Sequence, residues 1–133
     1  MEQRIEEPSS ALDFLAHRVI GAAIEVHRHL GPGFLESTYE EALCLELSAR
    51  GIPFGRQVLI DIEYKARKVS EARLDLLVDD RLVVELKSCE CLAPIHVAQT
   101  LSYLRATGLR LALLINFNVT VLQRGLIRII HSP

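Results

Sequence analysis

The stretch "RLDLLVDDRLVVELKS", residues 73–88, decides how the chain is read. It has two apolar runs around a charged turn, which is the pattern of a β-hairpin. Asp75, Glu85 and Lys87 interrupt those runs. Side chains alternate faces along a strand, so Asp75 shares a face with Arg73 and Leu77, and Glu85 with Val83 and Lys87. The turn decides whether those faces coincide. A two-residue loop at Asp79-Asp80 pairs Val78 with Arg81 and sets Asp75 opposite Val84. A three-residue loop, Asp79 to Arg81, pairs Val78 with Leu82 and sets Asp75 opposite Glu85. The second register keeps Leu74, Leu76 and Val78 together with Leu82, Val84 and Leu86 on the other, apolar face. It is preferred for that reason, although such loops favour a glycine that is missing here.

Two carboxylates facing each other repel, and a hard divalent cation relieves the repulsion. Magnesium suits one or two carboxylates and keeps waters for a substrate phosphate. Lys87 projects beside the pair, where an ammonium orients water or stabilises charge developing on phosphate. The stretch therefore predicts a phosphodiester-cleaving site that takes Mg2+, with Mn2+ as a substitute.

Outward from the hairpin the elements follow from periodicity. On its N-terminal side "VLIDIEY" alternates, with Val58, Ile60, Ile62 and Tyr64 on one face. "KARK" is a short basic turn. Before it, "ALDFLAHRVIGAAIEVHRHL" has helical spacing, with Ser10 and Asp13 resembling a capping box. "GPG" ends that helix. "ESTYEEALCLELSAR" places Tyr39, Leu43 and Leu47 on one helical face, and Gly51 caps it. On the C-terminal side "APIHVAQTLSYLRATG" is a helix with Pro94 near its start and Gly108 at its end. "RLALLINF" reads as an interior strand covered on both faces. "VTVLQ" and "LIRII" read as a terminal strand pair. The order is α-α-β-β-β-α-β, then that pair: a mixed α/β sheet flanked by helices.

Other candidates come from spacing. Glu36 and Tyr39 lie three apart just after the glycine turn. Glu36 is either an ordinary first-turn acid favoured by the helix dipole or a helix-borne third acid for the metal. Glu25 is a second-rank candidate. His96, Gln99 and Tyr103 share one helical stripe, read either as an exposed polar face or as support for the site and contact to nucleic acid. Cys89 and Cys91 with His96 lack the second cysteine pair of a structural zinc site and are read as incidental thiols. His27 and His29 suit a helix C-terminus electrostatically. No P-loop, G-x-S-x-G or dinucleotide fingerprint is present.

Bulk properties set the frame. The chain has 133 residues, half of them hydrophobic, with formal net charge −2. That size predicts a single domain over 1–133, with residues 1–9 a flexible tail. The net charge gives no global attraction to a polyanion, so any nucleic-acid site is local. No apolar run is long enough to span a bilayer, and "MEQRIEEPSS" is too acidic for a signal peptide. An odd set of three cysteines points to a reducing, cytoplasmic setting. A half-apolar small domain with apolar C-terminal strands predicts a homodimer that covers an exposed edge.

These blocks together resemble the small GxxExxY family of the PD-(D/E)xK nuclease-like superfamily. Gly33, Glu36 and Tyr39 in "GFLESTY" match the naming motif. "VIGAAIEVHRHLGPGFLESTYEEAL", "RLDLLVDDRLVVELKS", "HVAQTLSYLRATG" and "LLINF" match its run of blocks over residues 17–130. The resemblance implies a restriction-endonuclease-like core and Mg2+ at the Asp and Glu-x-Lys positions, here Asp75, Glu85 and Lys87. Glu36 matches the acid on the first core helix. Gln99 with Tyr103 is similar to the Q-x-x-x-Y motif of one exonuclease branch. The expected partner is DNA. The competing expectation is a non-catalytic binding or oligomerisation module that keeps the fold.

Overall fold

The computed structural model describes residues 7–132. Helix α1 spans Ser10–Leu30 and buries Leu12, Leu15, Ala16, Val19, Ala22, Ala23 and Val26 along one stripe. Its cap is Ser9, one residue earlier than expected. The Ser9 Oγ accepts the Leu12 N–H at 3.2 Å. Asp13 instead pairs with Arg128 at 2.6 Å. Of the expected flexible tail, residues 1–6 lie outside the described residues. Residues 7–9 are tied down, because Glu7 also reaches Arg128, at 3.4 Å, and Ser9 is the cap.

Helix α2, Glu36–Ala49, buries Tyr39, Leu43 and Leu47 as its spacing predicts, with Cys44 beside them. Gly51 follows the last turn at φ +68°, and Ile52 N–H reaches back to Leu47 O at 2.9 Å. That is the glycine-closed helix end in which orphan carbonyls find donors.

Five strands follow: β1 Phe54–Tyr64, β2 Arg67–Val78, β3 Leu82–Lys87, β4 Leu111–Asn116 and β5 Leu126–Ile130. They form one sheet in the order β1-β2-β3-β4-β5. Only β3 and β4 run parallel, joined through helix α3, Pro94–Thr107. Helices α1 and α2 pack on one face against Leu76, Val78, Leu82, Val84, Leu86, Leu113 and Ile115. Helix α3 covers the other through Leu104, against Val83, Ala112 and Leu114. Strand β4 is buried from end to end, as an apolar strand between two helical layers must be.

The hairpin takes the three-residue loop, with Val78 paired to Leu82. Asp79 and Asp80 adopt φ +51° and +56°, so two aspartates supply the left-handed turn without glycine. One expected grouping fails. Leu74 packs in the α3 cluster, whereas Leu76 and Val78 pack against α1 and α2. Gln57, across from this point on β1, has φ +52°, and the alternation of faces inverts there.

The expected terminal strand pair is a single strand. "VTV" lies in the connection from β4, which closes with a 3-10 turn over Leu122–Gly125 before β5. Two contacts claim that segment. His27, buried in α1, donates from Nε2 to Val119 O at 2.7 Å, so this histidine does more than suit a helix end. Gly125 presses on the end of β4: a Cβ there would stand 2.1 Å from Asn116 O.

Candidate active site

Strand β2 brings Asp75 and strand β3 brings Glu85 to the middle of the sheet. Continuing the Leu76–Val84 register places them opposite each other. The ordinary ladder stops there, and side chains take over its bonds. Asp75 N–H donates to Glu85 Oε1 at 3.1 Å, and Leu86 N–H donates to Asp75 Oδ2 at 2.8 Å. Each acid thus satisfies a backbone donor of the strands that carry them, which ties down one oxygen of each carboxylate.

Glu85 is 6% exposed. Burial pushes its carboxyl up to about 8, and the charge and side chain of Asp75 push the same way, while the Asp75 backbone N–H and Lys87 oppose them. Lys87 is partly buried and forms no hydrogen bond or ion pair through its ammonium with another described residue. Its charge is felt by both Glu85 and Glu36. The strand end is held firmly: Lys87 O accepts from Phe117 N–H at 3.0 Å. Buried Asn116, opposite Lys87 on β4, binds the Cys89 backbone at both N–H and O.

Glu36, in the first turn of α2, faces this cluster from the helix. Burial raises its pKa, Lys87 lowers it, and Asp75 and Glu40 raise it. Among the described residues, no three His, Cys, Asp or Glu side chains converge on one ion position. Glu36 is an electrostatic neighbour of the pair. Tyr103 of α3 lies within the field of the site, its phenol pushed up by burial and by Glu85 and Asp75. Gln99, one turn earlier, is exposed.

Tyr39 sits elsewhere. It is fully buried and stacks on Phe117 with centroids 4.6 Å apart. Its hydroxyl donates to Gly31 O at 2.5 Å and accepts from Phe34 N–H at 3.2 Å. Direct contact with nucleic acid is closed to it. It locks the loop that leads into Glu36, and Ser88 clasps that loop from the far side through Phe34 O at 2.5 Å. Glu25 is engaged by His29 at 2.8 Å near the end of α1. His96 caps its own helix, its Nδ1 accepting from Ala93 N–H at 3.0 Å.

Sequence reasoning passed over three residues. Glu40 lies four after Glu36, hence on the same helical line, a spacing that was open to view. Its carboxylate binds Arg56 at 2.8 Å and Gln57 at 2.6 Å. Gln57 Nε2 also stands 3.5 Å from Asp75 Oδ1. A left-handed strand residue leaves no such signal in the sequence.

A mixed sheet between helices, with Asp on one central strand and Glu-x-Lys on the next, defines the class of nuclease-like α/β folds. The chain belongs to the PD-(D/E)XK nuclease superfamily, whose family model matches residues 13–129. No curated protein matches it. Among the described residues, no helix is long and apolar enough to cross a membrane.

Proposed function

We propose that the protein is a magnesium-dependent nuclease that cleaves phosphodiester bonds in DNA, acting as a homodimer in the cytoplasm. Gly33, Glu36 and Tyr39 support placing it in the GxxExxY family. One observation carries the catalytic reading: Asp75 and Glu85 face each other at a break in the ladder, and burial together with the Asp75 charge drives Glu85 toward neutrality.

The donor set fits the cation the superfamily implies. Two carboxylates on adjacent strands suit Mg2+, which keeps the rest of its shell as water. Asp75 and Glu85 would hold it, and Mn2+ would substitute. Bound there, the ion would polarise a phosphoryl oxygen and lower the pKa of water. Lys87 orients the attacking water and balances charge on phosphate. The water oxygen bonds to phosphorus as it gives up a proton to bulk water, the P–O ester bond breaks, and the leaving oxygen takes a proton from bulk water. Glu36 completes the acidic rim. Tyr103 and Gln99 line the α3 side, where they support the site and meet the nucleic-acid backbone. Tyr39 supports it from beneath.

The test is Mg2+- or Mn2+-dependent cleavage of varied DNA and RNA substrates beside an Asp75→Asn control. Cleavage by the wild type that Asp75→Asn abolishes is expected. No cleavage of any substrate, with no effect of metal on the protein, would favour the non-catalytic module.

A further inference from the structure

Consecutive residues of a β-strand point to opposite faces. Arg56 and Gln57 break that rule. Arg56 Nε donates to Glu40 Oε2 at 2.8 Å, and Gln57 Nε2 donates to Oε1 of the same carboxylate at 2.6 Å. The cause is local. Gln57 has φ +52°, a conformation that residues other than glycine seldom adopt. Beyond it, Val58 and Ile60 pack toward α3.

Arg56 already ties β1 to α2, since it also holds Glu41 at 2.7 Å. A strained second tie to the same carboxylate adds little to holding the helix. What the turned backbone adds is reach. Nε2 stands 3.5 Å from Asp75 Oδ1, while Asp75 Oδ2 is taken by Leu86 N–H. An amide has two protons and no charge, so it serves two carboxylates at once where a lysine would neutralise them.

We propose that Gln57 is a positioning residue for the Asp75–Glu85 site: its amide stands between Glu40 and Asp75 and fixes the orientation in which Asp75 meets a divalent cation. The proposal rests on the metal reading of that site. Both oxygens of Asp75 then face a donor from the chain, one from the β3 backbone and one from β1. Such contacts are often long before a ligand tightens them. Outer partners of metal-binding carboxylates matter about 10–100-fold in affinity.

The test is Mn2+ titration by calorimetry, with melting curves of the metal-free proteins alongside. Gln57→Met removes the donors at nearly the same length. Gln57→Gly removes them and relieves the backbone. Arg56→Ala cuts the ties to Glu40 and Glu41 but leaves the amide. Both Gln57 variants are expected to stay folded and to bind Mn2+ about tenfold more weakly or worse, with Arg56→Ala close to wild type. A Gln57 variant that binds Mn2+ like wild type would overturn the proposal. So would an equal loss in Arg56→Ala, or a loss of fold in both Gln57 variants, since either makes Gln57 a brace. Wild type that binds no Mn2+ would overturn the metal reading itself, and the proposal with it.

Discussion

At the scale of residues, Glu85 sets function against stability. Its carboxyl stands near 8 in the fold and at 4.5 as a free side chain. Between those values the folded state holds the proton more tightly than the unfolded one. Stability of the metal-free protein therefore falls as pH rises through that window, and the full penalty applies above it. Each pKa unit corresponds to about 1.4 kcal/mol, which makes this a matter of a few kcal/mol. Glu85→Gln keeps an acceptor for Asp75 N–H and removes the charge. Melting in chelator should show the variant more stable than wild type at pH 9 and close to it at pH 5. Equal melting at pH 9 would mean that the buried charge costs nothing. Asp75→Asn relieves the same repulsion from the other strand. It should leave the metal-free protein as stable or more so, and abolish the rise in melting temperature that millimolar Mg2+ or Mn2+ gives wild type. A rise that persists in the variant would remove Asp75 from the metal site. The positions of Asp75, Glu85 and Lys87 were legible because strand period and loop length are counted directly from sequence. The role of Gln57 was not, because it depends on one backbone angle. The burial of Tyr39 was implicit in its shared face with Leu43 and Leu47.

At the scale of elements, glycine marks what could be read and what could not. Gly31, Gly51 and Gly108 all adopt positive φ at helix ends, where composition alone placed them. Gly125 is different. Its φ is ordinary, and its reason is the Asn116 carbonyl lying against it, a contact between segments invisible to local patterns. The same blindness explains "VTV". Its β-branched residues favour a strand, but Val119 is claimed by His27 from α1, ninety-two positions away. Gly125→Ala should force β5 away from β4 and cost about 1–3 kcal/mol or more, as overpacking does. Urea denaturation measures this. Unchanged stability would show that the connection shifts freely and that the close approach is incidental.

At the scale of the whole molecule, β5 is an edge strand of the sheet and β1 is the other. The C-terminal strand tucks Ile129 inside, whereas Leu59, Tyr64 and Val69 stand 54%, 64% and 61% exposed on the β1–β2 hairpin. If dimerisation covers them, light scattering at high micromolar concentration will give twice the chain mass, and Leu59→Lys will return it to the monomer. A monomer mass for wild type would remove the homodimer. The sheet order also has a kinetic consequence. Asp75 and Glu85 are ten residues apart on one hairpin, while Tyr103, which lies in their field, comes on a helix later in the chain that crosses over to a parallel strand. Local pairings form before such crossovers close. The two acids therefore meet while still wet, and Glu85 loses its water only when the helical layers dock on the sheet, late on the way to the native state. Alkaline conditions should then act on escape from that state and not on entry to it. In stopped-flow chevrons at pH 6 and pH 9, the refolding arms should superimpose, and the unfolding arm should run faster at pH 9. Slower refolding at pH 9 with a fixed unfolding arm would instead place the drying of Glu85 before the barrier.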